Sequence, residues 1–412
     1  MTAYRPAVPS SRTTNTPALL ILVTTLLAVV PAGVVAQKPA GFDAAWRDLA
    51  AHYHRTLDDN GVVGSALWFV RGGDVLAREF HGFADLETQR KVDENTIFHW
   101  ASITKTFTGI AIMQLRDRGL LSLDDPIVKY LPELRAVHDP YGPIDVITLR
   151  MLLSHSAGFR NPTWPWGGDQ PWHPFEPTEW SQLVAMLPYT EILFPPGSRH
   201  SYSNPGIIFL GRVIEILSGD DFEVYIDKNI LKPLGMTHSY FDITPYHLLP
   251  YRSNNYTVRD GRPVANGLDF DTGITTSNGG LNAPITDMAR YLAFLAGDAS
   301  NPMYDVVLKR SSLEEMWRKR LDITPAADRA GTREAIGLIY FVLDRGPVHV
   351  IGHTGSQASF RAFFYLDPLS GAAAIAQFNT VRGTPNDKPD TDRILADLRD
   401  DVFDHVFTLF QR

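Results

Sequence analysis

The chain has no cysteine among its 412 residues. That absence excludes a disulfide framework, a lipid-modified N-terminal thiol and any cysteine-ligated metal site, so the fold has to stand on packing alone. Positive charge is scarce too: 38 lysines and arginines face 46 aspartates and glutamates, leaving a net charge of −8, and no basic cluster offers a stripe along which phosphates could lie. No nucleic-acid partner is expected. Two catalytic signatures are also missing, the G-x-S-x-G elbow and the H-E-x-x-H zinc helix. The 13 histidines include the phrases AHYH at 51–54 and HVIGH at 349–353, yet these do not join into a ligand set, so neither a metal nor a cofactor is expected. With no internal repeat and no low-complexity linker, the folded part reads as one composite unit.

What is present begins with an apolar run at residues 18–30, preceded by Arg5 and Arg12 and followed by the small-residue site Val34-Val35-Ala36. This pattern predicts a secretory signal over residues 1–36, cleaved before Gln37, and an exported protein, periplasmic or extracellular. Retained, the stretch 18–36 is long enough to span a bilayer and would make a membrane anchor.

Residues 42–61, FDAAWRDLAAHYHRTLDDNG, carry apolar side chains at helical spacing and end on glycine, which predicts an amphipathic helix. Alternation on either side of Gly72-Gly73 predicts an antiparallel hairpin over residues 62–87. Strand patterns return at 335–380, cut by the turn phrases DRGP and DPLSG, before a last amphipathic helix at 391–412. The order predicts an α+β fold. An antiparallel sheet would be built from about 43–101 and 335–412 and flanked by the terminal helices, with a helical lobe of about 102–334 inserted between. A cleft between the two parts is the natural site for a small-molecule or peptide substrate. Oligomeric state is not readable from the sequence.

Three short phrases carry chemistry. In FHWASITKTFTGIAIMQLRDRG, residues 98–119, Ser102 and Lys105 stand at i and i+3 at the start of a helix, where they share a face; a lysine desolvated there can accept the serine proton. The plain alternative is a helix N-cap beside a solvated charge. Tyr202 and Asn204 fall in the loop SYSNPG ahead of an apolar helix, as a proton relay and an amide that orients an acyl group, or simply as turn residues. His353-Thr354-Gly355-Ser356 sit on a strand predicted near the sheet edge. There Gly355 would let substrate backbone lie close and a free N–H would help form an oxyanion hole, unless the glycine only serves close strand packing.

Taken together and in this order, S-x-x-K, Y-x-N and H-T-G resemble the serine β-lactamase and penicillin-binding hydrolase superfamily, in the branch with class C β-lactamases, D-alanyl-D-alanine carboxypeptidases, D-aminopeptidases and β-lactamase-like esterases. The likeness covers nearly all of the chain after residue 36. It extends to LRMLLSHSAGF at 149–159, PLGMTHSYF at 233–241 and NGGLNAPITDMARYL at 278–292. The resemblance implies that Ser102 attacks the carbonyl and carries the acyl group, that Lys105 and Tyr202 share the work of base and acid, and that Asn204 holds the substrate. Backbone N–H groups of Ser102 and Ser356 would form the oxyanion hole, and His353, Thr354 and Gly355 would complete the substrate-binding strand. Which of Lys105 and Tyr202 takes the first proton is left open. A departure is His353: many β-lactamases place a lysine there, a permanent cation for a substrate carboxylate, whereas histidine near neutral pH is mostly uncharged. The expected activity is hydrolysis of an ester, a D-amino-acid peptide or a β-lactam amide, with a dedicated β-lactamase least favoured. The alternative is a non-catalytic penicillin-binding-like sensor or scaffold. Four of the eight tryptophans fall in residues 160–180, either as an aromatic wall of the cleft or as a loop packed on the helical lobe.

Overall fold

The computed structural model describes residues 37–163, 177–268, 272–297, 301–324 and 331–411. The leader at residues 1–36 and most of the tryptophan-rich segment, residues 164–176, lie outside the described residues. Among the described residues no helix is long and apolar enough to cross a membrane.

Helix α1, Phe42–Asn60, forms where the sequence predicts. Phe42, Trp46, Leu49, Ala50, Tyr53 and Leu57 recur at three- and four-residue intervals and all are buried. Gly61, at φ 69°, ends it in the left-handed conformation that glycine adopts without strain. The hairpin follows as β1, Gly64–Arg71, and β2, Asp74–Asp85, turning at Gly72-Gly73, and β3 is the pair Arg90–Lys91. Six later strands complete the sheet: β4 Leu321–Ile323, β5 Thr332–Ile336, β6 Phe341–Arg345, β7 Val348–Gln357, β8 Phe360–Leu366 and β9 Ala372–Phe378. The spatial order is β3-β2-β1-β9-β8-β7-β6-β5-β4, and every pairing is antiparallel.

Central strand β1 is buried on both faces, and its alternation divides the core. Leu67 and Phe69 pack with α1 and with the C-terminal helix α5, Thr391–His405, whereas Ala66, Trp68 and Val70 face the helical region. Strand β9 repeats this, with Ala372, Ala374 and Ala376 under the terminal helices and Ala373 and Ile375 on the other side. The helical side is built on α2, Thr104–Asp117, α3, Asn204–Ser218, and α4, Ile285–Ala296.

Two sequence expectations shift. β4 and most of β5 precede residue 335, so the sheet takes in chain assigned to the helical lobe. That lobe also holds strands of two to four residues in small sheets, such as Tyr240–Phe241 paired with Leu281–Pro284. Elements this short span less than the window in which a period can be recognised. The H-T-G strand β7 is not at the sheet edge in strand order, because β6, β5 and β4 lie beyond it. β6 pairs only with Val348–Gly352, however, so from His353 onward β7 is laddered on one side alone among the described residues. A local edge is thus created inside the sheet, with alternate backbone groups turned toward the helical region.

Candidate active site

Ser102 sits on a short 3-10 turn, Ala101–Ile103, that runs into α2. The approach to it is rigid: Trp100 N–H donates to the Leu281 carbonyl at 2.8 Å and its indole to the Ala283 carbonyl at 2.9 Å. Ala101 is held at φ 48°, a left-handed conformation that costs a non-glycine residue about 1–3 kcal/mol and that clusters at functional sites. The Trp100 carbonyl rests against Gly355, where an added Cβ would stand 2.3 Å from the oxygen. The sequence leaves two roles open for Gly355, admitting substrate backbone or serving close packing. Its space is filled by the protein's own turn, which brings Ser102 against β7.

Lys105, one helical turn on, is fully buried. Its Nζ lies 3.0 Å from Ser102 Oγ and donates to the Asn278 carbonyl at 2.7 Å. Burial pushes its pKa well below the ordinary lysine value, which favours the neutral amine with a lone pair for the serine proton. The Tyr202 phenol faces Ser102, and its ring centroid is 5.1 Å from Lys105 Nζ. Burial raises the phenol pKa, only partly offset by the neighbouring Ser102 hydroxyl, so the tyrosine keeps its proton. Ser102, Lys105 and Tyr202, drawn from two distant phrases, are therefore brought together, with an amine and a phenol beside one hydroxyl.

Asn204 opens α3, whose N-cap Ser203 accepts the Gly206 N–H at 3.2 Å. Its amide donates to Asn161 Oδ1 at 3.2 Å, and its carbonyl accepts from Asn278 Nδ2 at 3.4 Å. These residues border a cleft of about 330 Å³ that also takes in Ser102, Pro162, Thr163, Thr275, Ser356 and Gln357. Among the described residues no lysine or arginine lines it. The nearby Arg361, on β8 opposite Ser356, is committed to Asp392 at 2.6 Å and to two backbone carbonyls. A roomier surface hollow of about 530 Å³ by Trp317, Arg333 and Leu369 brings no nucleophile and base together, so size alone does not locate the site.

His353, Gly355 and Gln357 alternate on one face of β7 and meet Tyr202, Trp100 and Gly279 respectively. The His353 ring is buried rather than open to the cleft, 5.0 Å from Phe341 and 6.3 Å from Tyr202, with Nδ1 donating to the Thr354 carbonyl. Burial, with the nearby Lys105 adding to it and the Thr354 bond opposing, takes its pKa down to about 3. The imidazole is neutral, and of the H-T-G-S phrase only Ser356 borders the cleft; Thr354 is half-buried beside it. Sequence reasoning missed Asn161, Asn278 and Gln357, as well as His155 beneath Tyr202. Asn278 and His155 lie in phrases already noted for family likeness, but nothing in those phrases gives their role. Among the described residues no group of three histidines, aspartates or glutamates could hold a metal ion.

A family model described as beta-lactamase matches residues 46–399. Protein flp of Staphylococcus aureus (strain COL) is 25% identical over 326 residues, 79% of this chain and 61% of its own. Esterase EstB of Burkholderia gladioli is 29% identical over 210 residues, 48% of this chain and 53% of its own. The chain thus spans less than two thirds of the length of these curated relatives. The octameric penicillin-binding protein homologue from Pyrococcus abyssi superposes with a TM-score of 0.70 at 25% identity, covering 85% of this chain and 76% of that one. The fold described above is shared with that solved structure, and with a family model matching nearly the whole folded part, this chain belongs to the beta-lactamase family.

Proposed function

We propose that the protein is an exported serine hydrolase that forms an acyl-enzyme on Ser102 and acts on uncharged esters or D-amino-acid amides in preference to carboxylate-bearing β-lactams. The observation that carries this reading is a buried amine, its pKa lowered by burial, 3.0 Å from a serine hydroxyl, at a cleft that amides and hydroxyls line and that no lysine or arginine among the described residues borders. Lys105 takes the Ser102 proton as Oγ adds to the carbonyl carbon. The oxyanion is met by the N–H groups of Ser102 and Ser356, the first at the positive end of α2. As the tetrahedral adduct collapses, Tyr202 gives its proton to the leaving oxygen or nitrogen and is reprotonated from the Lys105 ammonium. Water repeats the sequence on the acyl-enzyme and releases the acid, leaving Ser102 and Lys105 as they began. Asn204 and Asn161 offer an amide pair to the acyl group.

A panel of p-nitrophenyl esters, D-alanyl amides and β-lactams tests the reading, together with intact-mass analysis after a fluorophosphonate. One adduct, on the peptide holding Ser102, and turnover of neutral substrates are expected. Labelling or normal turnover by Ser102→Ala would sink it, and stoichiometric labelling without turnover would make the protein a sensor. Export rests on the leader alone. Terminal peptide mapping of protein from the producing cell should find Gln37, and a retained residue 1 would turn the leader into an anchor.

A further inference from the structure

We infer that His155 positions Tyr202: it grips the backbone on both sides of the tyrosine and stacks on its ring. The inference rests on the reading of Tyr202 as proton relay. The short helix Leu149–Leu153 ends at Ser154, and its last turn is tied down by Ser156 N–H on the Met151 carbonyl at 2.8 Å and by Ile339 N–H on the Leu153 carbonyl at 2.7 Å. His155 comes next at φ 49°, a place where glycine is usual and asparagine tolerated. A strained histidine at this point calls for a reason. Its carbonyl accepts the Ser201 N–H at 2.8 Å, and its Nδ1 accepts the Ser203 N–H at 3.2 Å. Those are the amides immediately before and after Tyr202. Between them the imidazole lies on the tyrosine ring, centroids 4.3 Å apart and planes 28° from parallel.

The left-handed turn is what lets one residue present its carbonyl and its ring to the same three-residue segment. Accepting at Nδ1 places the ring proton on Nε2, so the tautomer is set by the backbone of the relay segment itself. Burial, then His200, Lys105 and His353, push the ring's pKa well below the usual histidine value against the opposing bond to Ser203, which favours the neutral imidazole. The phenol hydroxyl is thereby aimed at Ser102 by a side chain that touches neither substrate nor nucleophile. His155 is a positioning residue in this sense.

The test is a double-mutant cycle in the full-length chain with a neutral p-nitrophenyl ester. His155→Asn keeps the tolerance for positive φ and an acceptor oxygen but removes the ring; His155→Phe keeps a ring and removes the acceptor. Each should lower kcat by about tenfold to a hundredfold through misplacement of the phenol, with KM little changed. In a Tyr202→Phe background the same substitutions should cost almost nothing more, because there is no hydroxyl left to aim. Full losses in that background, or wild-type kcat in both single variants, would overturn the proposal. Thermal melts report folding, and if the Phe variant does not fold, the Asn arm alone decides. An unchanged kcat in Tyr202→Phe itself would overturn the relay reading, and with it the need for a clamp.

Discussion

Lys105 is paradoxical as a stability element. An ammonium-bearing chain is buried without a carboxylate, and burial lowers its pKa well below the value it has in the unfolded chain, about 10.4. Between the folded and unfolded values the unfolded state binds the proton and the native state does not, so unfolding free energy rises with pH across that window. The penalty is fully present below the folded pKa and fades as pH approaches 10. Lys105→Met should therefore melt higher than the wild type at neutral pH, with the gap closing in alkali, while hydrolysis falls by about 10²–10⁴-fold. A lower melting temperature at neutral pH would mean that the bonds to Ser102 and Asn278 outweigh desolvation. The acidic limb of kcat/KM should track the same amine, at a pH far below that of a free lysine. At this scale Ser102 and Lys105 were legible because a helix forces i and i+3 onto one face. Asn278 and His155 were not, because their contacts join segments far apart in the chain and leave no spacing to read.

Among the elements, α1, the β1-β2 hairpin and α5 could be foreseen because each repeats its period over many residues. The half-paired strand β7 could not, since its local edge depends on where a different strand, β6, begins. That geometry makes Gly355 the hinge between sheet and nucleophile. In Gly355→Ala the new methyl meets the Trp100 carbonyl, which is backbone and anchored at both ends of the indole residue, so the 101–103 turn has to move away from β7. Ser102 moves with it. Acylation by a fluorophosphonate should slow by about a hundredfold or more, a cost typical of reacting groups misplaced by an ångström. The far-UV spectrum should be kept, since the strand still pairs with β8. An acylation rate equal to wild type would show that the turn yields without displacing the serine.

For the molecule as a whole, charge decides what the cleft admits. The protein carries a net charge of −8, no lysine or arginine among the described residues lines its cleft, and Arg361 is tied to Asp392. A substrate carboxylate would have to leave water without a partner, forgoing an ion pair of about 1–4 kcal/mol at 4 Å. A matched pair of p-nitrophenyl esters, one with a carboxylate near the scissile bond and one with its carboxamide, should differ by about tenfold or more in kcat/KM in favour of the amide. The sequence alone points to His353→Lys as the way to reverse this. The structure argues otherwise, because His353 is buried behind Tyr202 beside Lys105, and a second amine there would meet the same desolvation without reaching the substrate. Ser356 is exposed and borders the cleft, and replacing its side chain leaves the backbone N–H in place. Ser356→Lys should narrow the amide-to-carboxylate ratio several-fold at low ionic strength, and added salt should restore it, as an exposed charge requires. A ratio unmoved by Ser356→Lys but narrowed by His353→Lys would place the substrate carboxylate behind the tyrosine and reverse the assignment of the cleft.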